Sequence, residues 1–250
     1  MSPSNQANWP MPLWIAHRGA GKLAPENTLA AFRLGAQHGF RAFECDVKLS
    51  ADGECFLMHD DKLERCTSGS GSPALQPWSA LSRLDAGSWH SRPYAGEPLA
   101  HLDAIASFVI RNHLALNLEI KPTPGAEALT GRTVAQQVQR LWADVARKPL
   151  LSSFKPEALA AARDAAPELP RALLVDQARP SWLAEALDLS CCGVITHYSL
   201  MDAYAVQQIH ALNMRAAVYT ANDEAVVQWL LANGVDGIIT DAVDRFSPAA

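Results

Sequence analysis

Four short clusters carry side chains that could do acid–base or metal chemistry: His17-Arg18-Gly19, Glu44-Cys45-Asp46, His59-Asp60 and Glu119-Ile120-Lys121. Side chains alternate along a strand, so Glu44 and Asp46 share one face while Phe43, Cys45 and Val47 take the other. By the same rule Asn117, Glu119 and Lys121 share a face opposite Leu118 and Ile120. If both runs stand in one sheet with their polar faces inward, three carboxylates converge. Two like charges about 4 Å apart repel by roughly 4 kcal/mol at an effective dielectric near 20, so three cannot all stay ionised without a cation. A hard divalent ion, Mg²⁺ or Ca²⁺, suits such an all-oxygen set. The plainer reading, in which each carboxylate pairs with an Arg or Lys at a rim, fits one such cluster better than two clusters with histidines beside them.

Histidine is the side chain suited to proton transfer near neutral pH, and as a pair His17 and His59 can serve as general base and general acid on opposite sides of a phosphorus centre. A lone histidine at a strand end would more often be a rim residue. Arg18 and Lys121 supply local positive charge for phosphate oxygens. An ion pair between Arg18 and Glu26 is compatible with that role.

These side chains must be positioned by a regular scaffold, and the chain has one. Strand-like apolar runs lie at 13–16, 41–47, 114–120, 150–154, 171–175, 193–196, 215–219 and 237–240. Helical apolar spacing occupies 28–38, 102–112, 133–146, 156–165, 182–187, 202–212 and 224–232. Strand–helix alternation with short connections demands parallel strands, and eight of them predict a closed (β/α)₈ TIM barrel in one 250-residue domain. No G-x-G-x-x-G follows the first strand, which counts against a dinucleotide fold. Asn27 and Thr28 can cap the first helix, and Gly39 and Gly234 stand where helices should stop.

One segment breaks the rhythm. From 48 to 100 Gly and Pro are frequent and no long helix is spaced out. Asp52-Gly53 between 43–49 and 55–59 predicts a hairpin that carries strand two past the barrel and returns. The remainder reads as a small, loop-rich insertion after strand two, lying over the catalytic mouth, with a core of its own built on Trp78, Trp89 and Tyr94.

The formal net charge of −5 and the lack of a long basic run argue against nucleic acid and anionic membrane surfaces as partners. An enzyme acting on an anion must therefore concentrate its positive charge locally. The N-terminal stretch has neither a signal-peptide pattern nor a membrane-spanning run. The five cysteines, Cys45, Cys55, Cys66, Cys191 and Cys192, form no C-x-x-C pair and read as reduced thiols of a cytoplasmic protein.

The motifs I-A-H-R-G-A, A-P-E-N-T-L-A-A-F, E-C-D-V-K-L-S-A-D-G, H-D-D-K-L-E-R, L-D-A-G-S-W and L-N-L-E-I-K-P closely resemble the glycerophosphodiester phosphodiesterases. The similarity continues through P-L-L-S-S-F, V-Y-T-A-N and I-I-T-D-A-V-D, and is strongest to the compact cytosolic bacterial members. The resemblance implies a divalent metal held by Glu44, Asp46 and Glu119, acid–base roles for His17 and His59, and phosphate contacts from Arg18 and Lys121. It implies small-molecule glycerophosphodiesters as substrates, cut to sn-glycerol 3-phosphate and an alcohol. Cys66 departs from the Thr that many members carry, with no chemical consequence expected. The alternative reaction is a phospholipase C/D-like cleavage that releases a cyclic phosphate. A degenerate binding protein would lack one of these seven residues, and an amidohydrolase barrel would want an H-x-H pair on strand one.

Overall fold

Eight parallel strands close on themselves in the computed structural model, which describes residues 8–177, 179–246 and 248. Strand β1 (Trp14–Ala16) pairs with β2 (Ala42–Leu49) on one side and with the last strand, β9 (Gly237–Thr240), on the other. A short β3 (Cys55–Leu57) runs antiparallel to the end of β2, outside the barrel. From β2 the barrel continues through β4 (Ala115–Ile120), β5 (Leu150–Ser153), β6 (Arg171–Val175), β7 (Gly193–His197) and β8 (Arg215–Tyr219) to β9.

The outer ring holds α1 (Leu29–Gln37) and, beyond the four-residue α2 (Trp78–Leu81), α3 (Leu102–Arg111), α4 (Glu127–Leu141), α5 (Pro156–Ala165), α6 (Trp182–Asp188), α7 (Ala203–Ala211) and α8 (Glu224–Ala232). The architecture is the (β/α)₈ barrel that the sequence predicts, with strand ends agreeing to within two residues. None of the described helices is long and apolar enough to cross a membrane. The expectation of a leaderless N-terminus falls, for residues 1–7, outside the described residues.

Small and branched inward residues such as Ile15, Ala115, Leu150, Ile195 and Ile239 fill the lower barrel, so it is a packed core rather than a pore. Trp9 and Met11 pack against this cluster from the N-terminal end. Gly193 makes room for that plug: a Cβ there would lie 2.7 Å from the Trp9 ring. The polar inward residues gather at the opposite, C-terminal end of the strands.

Helix α4 begins earlier than the spacing predicts, at Glu127 rather than 133, and ends at Leu141. Its early turn contains Gly131, which reads as a breaker but packs on α5, where a Cβ would meet the Ala158 carbonyl at 2.1 Å. At α1 the Thr28 hydroxyl accepts from the Ala31 N–H (3.2 Å) as a cap should. Asn27 does not cap; it is used elsewhere.

The hairpin after strand two is present, with Val47 opposite Leu57 and Gly53 at φ +83° in the turn. The return continues one step beyond β3, where the Met58 N–H donates to the Asp46 carbonyl (3.0 Å) and so brings His59 beside the acidic strand. Lys48 is buried and its Nζ donates to Asp61 Oδ1 (2.7 Å), fastening the same turn. The insertion has its own core, and of the three aromatics expected to build it only Trp78 packs there. Phe56, Met58, Leu63, Cys66, Leu81 and Leu99 form it, with Trp78 packed at its side. Trp89 is 39% exposed and Tyr94 packs on the main core instead. Phe56 and aliphatic side chains fill this thin layer, whereas the Trp89 indole finds its partner at the edge, donating to the Ala86 carbonyl (2.8 Å).

The first loop of the barrel rests on α1 through a glycine contact. A Cβ at Gly35 would meet the Gly19 carbonyl at 2.1 Å and the Phe43 ring at 2.8 Å. Gly35→Ala should therefore displace the His17–Gly19 turn, costing about 1–3 kcal/mol as an overpacked contact. In a thermal melt that is a fall of roughly 2–12 °C, and turnover should fall with it. An unchanged melting temperature would mean that the turn yields freely.

Candidate active site

The register of β2 against β4 sets the centre of the site. Asp46 is paired with Glu119 and Glu44 with Asn117, so all four inward side chains stand on two neighbouring strands near the barrel mouth. Glu44, Asp46 and Glu119 are buried, and each offers a carboxylate oxygen within 4.8 Å of the others. At that spacing an ionised pair repels by about 3–4 kcal/mol at an effective dielectric near 20.

The three respond differently. Burial, helped by Asp46 and Glu119, pushes Glu44 well above the usual carboxylate range. Burial, then Asp46, pushes Glu119 up to about 7 against the pull of Lys121. Burial would raise Asp46 too, but Arg18, Lys121, His59 and a hydrogen bond from Asn27 outweigh it and hold Asp46 at about 2. Two cations lean on the cluster: Lys121 Nζ is 2.7 Å from Glu119 Oε1 and 3.5 Å from Asp46 Oδ1, and Arg18 Nε is 3.2 Å from Asp46 Oδ2. The Arg18 N–H also donates to Glu44 Oε2 (3.1 Å). Glu44 Oε1 is buried with no hydrogen-bond partner among the described residues. A carboxylate oxygen left in that condition, in a pocket of oxygen donors, fits a hard divalent cation.

Each histidine is steered by a carboxylate. His17 follows β1, and because Ala16 stands opposite Thr240, its neighbour is Asp241. Its Nδ1 lies 2.6 Å from Asp241 Oδ1. An ionised carboxylate only accepts, so Nδ1 carries the proton and Nε2, 3.7 Å from Glu44 Oε2, faces the triad. His59 repeats the arrangement with Nδ1 2.7 Å from Asp60 Oδ1. Burial pulls the His59 pKa down, against the opposing charge of Asp46.

The supporting shell is where sequence reasoning falls short. Asn27, at φ +60°, donates from Nδ2 to Asp46 Oδ2 (2.8 Å) and accepts the Asp46 N–H at Oδ1 (3.1 Å). Asn222 donates to Asp241 Oδ2 (3.1 Å) and accepts the Asp241 N–H (2.8 Å). Arg65 bridges Asp60 and Glu26, and Glu26 in turn accepts from Arg18 (2.8 Å), so the predicted Arg18–Glu26 pair is present. Asp241 stands at the C-terminal end of a strand, a position that signals a functional residue in a barrel; Asn27, Asn222 and Arg65 give no comparable signal.

All seven predicted site residues meet here. His17, Arg18, Glu44, His59, Glu119 and Lys121 line one cavity of about 200 Å³, with Asn117, Phe154 and Tyr219 also in its wall. Asp46, the third carboxylate of the triad, is buried and does not line this cavity. A neighbouring cavity of about 430 Å³ shares His59, Glu119, Lys121 and Phe154 and is bounded further out by Asp61, Pro124 and Lys155.

A family model described as the glycerophosphoryl diester phosphodiesterase family matches residues 17–245. A glycerophosphodiester phosphodiesterase of Caldanaerobacter subterraneus subsp. tengcongensis is 28% identical over 233 residues, covering 92% of this chain and 93% of its own length. Among solved structures, an Oleispira antarctica phosphodiesterase in complex with the product sn-glycerol-3-phosphate superposes with a TM-score of 0.86. It is 34% identical, and the match covers 92% of this chain and 93% of that one. A glycerophosphodiester phosphodiesterase of Agrobacterium tumefaciens str. C58 follows at 26% identity and a TM-score of 0.78, covering 94% and 98%.

An ion that binds the triad must displace the proton that Glu119 holds below about pH 7. Glu44, also pushed up, must ionise as well, so affinity for Mg²⁺ or Ca²⁺ should rise with pH by about tenfold per unit for each proton displaced. Calorimetric titration at pH 6 and pH 8 checks this, and equal affinities would overturn it. Glu44→Gln should weaken binding without lowering the melting temperature of the ion-free protein, because it replaces a buried carboxyl whose Oε1 has no partner and whose ionisation burial, Asp46 and Glu119 oppose. In the unaltered chain an ion at about 100 times its Kd should raise the melting temperature by roughly 5–10 °C.

Proposed function

The chain belongs to the glycerophosphoryl diester phosphodiesterase family, and on that premise we propose that it hydrolyses small glycerophosphodiesters to sn-glycerol 3-phosphate and a free alcohol. One observation carries the reading: Glu44, Glu119, two carboxylate-steered histidines, Arg18 and Lys121 line a single cavity, with the buried Asp46 carboxylate within 4.8 Å of the other two. We take Glu44, Asp46 and Glu119 as the ligands of one Mg²⁺ or Ca²⁺ ion. Such an ion supplies charge neutralisation at the phosphate oxygens. Arg18 and Lys121 contribute the remaining positive charge, and Lys121 must turn from Glu119 toward the substrate to do so.

His17 is the base in this reading. With its Nδ1 proton committed to Asp241, its Nε2 lone pair is free to take a proton from the attacking oxygen. His59 is the acid. It borders both cavities, so a diester whose glycerol occupies the inner one would present its leaving oxygen on the side of His59. Burial lowers the His59 pKa in the free protein, and the negative charge of a bound diester favours the protonated form that donation requires. The inner cavity reads glycerol closely, whereas the larger outer one accepts a range of alcohols.

The whole barrel works as one catalytic unit, with the 48–100 insertion over its mouth contributing His59. The cytoplasm is the compartment we favour, because all five cysteines are free and four are buried, a use of thiols that suits reducing conditions.

Hydrolysis of glycerophosphocholine should stop in excess chelator, return with Mg²⁺ or Ca²⁺, and release free sn-glycerol 3-phosphate. A cyclic phosphate product would point to the phospholipase-like reaction instead. Bis(p-nitrophenyl) phosphate should be a much poorer substrate than glycerophosphocholine. His17→Ala and His59→Ala should each lower glycerophosphocholine turnover by roughly 10²–10⁴-fold. A p-nitrophenyl leaving group needs no proton, so it should restore much of the rate to His59→Ala and little to His17→Ala. Equal rescue of both would remove the division of labour.

A further inference from the structure

Asn117 is a buried polar residue of the cavity that the reaction above leaves without a task. It stands on β4 one level below Glu119, 1% exposed, and lines the inner cavity. Neither its Nδ2 nor its Oδ1 has a hydrogen-bond partner among the described residues. Its strand neighbour Glu44 is directly opposite, yet no hydrogen bond joins the two side chains, so Asn117 does not hold the triad in place. Below it the barrel is apolar, through Ala115, Leu150 and Ile239. A buried amide with both ends unpaired is destabilising, and such groups in folded proteins are almost always completed by something.

The rest of the wall narrows what completes it. Phe154 and Tyr219 meet edge to face at 5.6 Å between ring centroids, and Leu174 and Ile239 adjoin them, giving an apolar side opposite the charged triad. A ligand that suits this space carries C–H faces toward the rings and hydroxyls toward the floor. An amide offers two N–H donors and one carbonyl acceptor, the complement of a pair of hydroxyls that each donate and accept.

We propose that Asn117 is the residue that recognises the glycerol moiety, binding its free hydroxyls through Nδ2 and Oδ1 while Phe154, Tyr219 and Leu174 flank its carbons. The assignment rests on the substrate reading above and adds to it the residue that makes glycerol preferred over an alkyl group of the same length. Asn117 touches the substrate away from the phosphate, so it takes no part in proton transfer.

The test compares two diesters with the same leaving alcohol, glycerophosphocholine and n-propyl phosphocholine, in the full-length, ion-loaded protein. The unaltered enzyme should prefer glycerophosphocholine strongly in kcat/KM. Asn117→Leu should cut kcat/KM for glycerophosphocholine by about 10- to 100-fold and leave n-propyl phosphocholine unchanged or improved. Inhibition by sn-glycerol 3-phosphate should weaken in parallel, while inhibition by inorganic phosphate should not move. If Asn117→Leu does not fold, Asn117→Ala is measured in its place against the same two substrates. A folded variant that keeps the full preference overturns the assignment, and so does an equal fall for both diesters, which would make Asn117 a structural support. If the unaltered enzyme itself shows no preference, it is the glycerol-specific reading of the site that fails.

Discussion

Three carboxylates on two adjacent strands, close enough to repel and buried enough to make that repulsion costly, are the constraint around which this molecule is arranged. The backbone imposes the crowding: the β2–β4 register that closes the barrel is the same register that puts Asp46 beside Glu119. Everything nearby answers it. Asp46 accepts one hydrogen bond from the Asn27 side chain, donates its backbone N–H to the same side chain, sits in the field of two cations, and remains ionised. Glu44 and Glu119 are pushed the other way. Three chemically similar groups thus end in different states because of what each one touches.

The same charges tie the insertion to the barrel. From Asp46 an alternating series runs through Arg18, Glu26 and Arg65 to Asp60, whose carboxylate steers His59. Positive and negative groups succeed one another, so each is stabilised from two sides, and the histidine on the hairpin is referenced to the carboxylate cluster on the barrel. Lys48 and Asp61 add a second fastening a few residues away. A segment that lacks long helices and has only a thin core could not fix an imidazole by packing alone; ion pairing partly shielded from solvent gives it the missing definition.

Much of this was legible from residue types alone, for a reason that marks the limit of such reading. Strand alternation assigns Glu44, Asp46, Glu119 and Lys121 to inward faces because the rule is local and has a period of two. The Asp-Gly turn is likewise local, and it returns His59 where expected. Asn27 shows the opposite case: its side chain could cap a helix equally well, and only the distance to Asp46, nineteen positions on, decides. Asp241 is 224 positions from His17 and becomes its partner only when β9 closes onto β1. The core expected for the insertion held for Trp78 but not for Trp89 and Tyr94, since composition supplies candidates for a core but not the thickness of the layer to be filled.

Charge balance joins the carboxylate constraint to the proposed chemistry. Taken alone, the ionised triad outweighs Arg18 and Lys121 by one negative charge, and Lys121 is held against Glu119 at 2.7 Å, in the manner of a substitute cation. A divalent ion among the three carboxylates would reverse that sign and leave the inner set with one positive charge. Lys121 would then be weakly needed by Glu119 and available to the cavity it lines. A phosphodiester carries one negative charge, so the loaded site would be matched to a diester and undercharged for a phosphomonoester dianion. Discrimination between substrate and product at the phosphate would then follow from the count of carboxylates and cations, leaving the polar floor at Asn117 to distinguish the organic group.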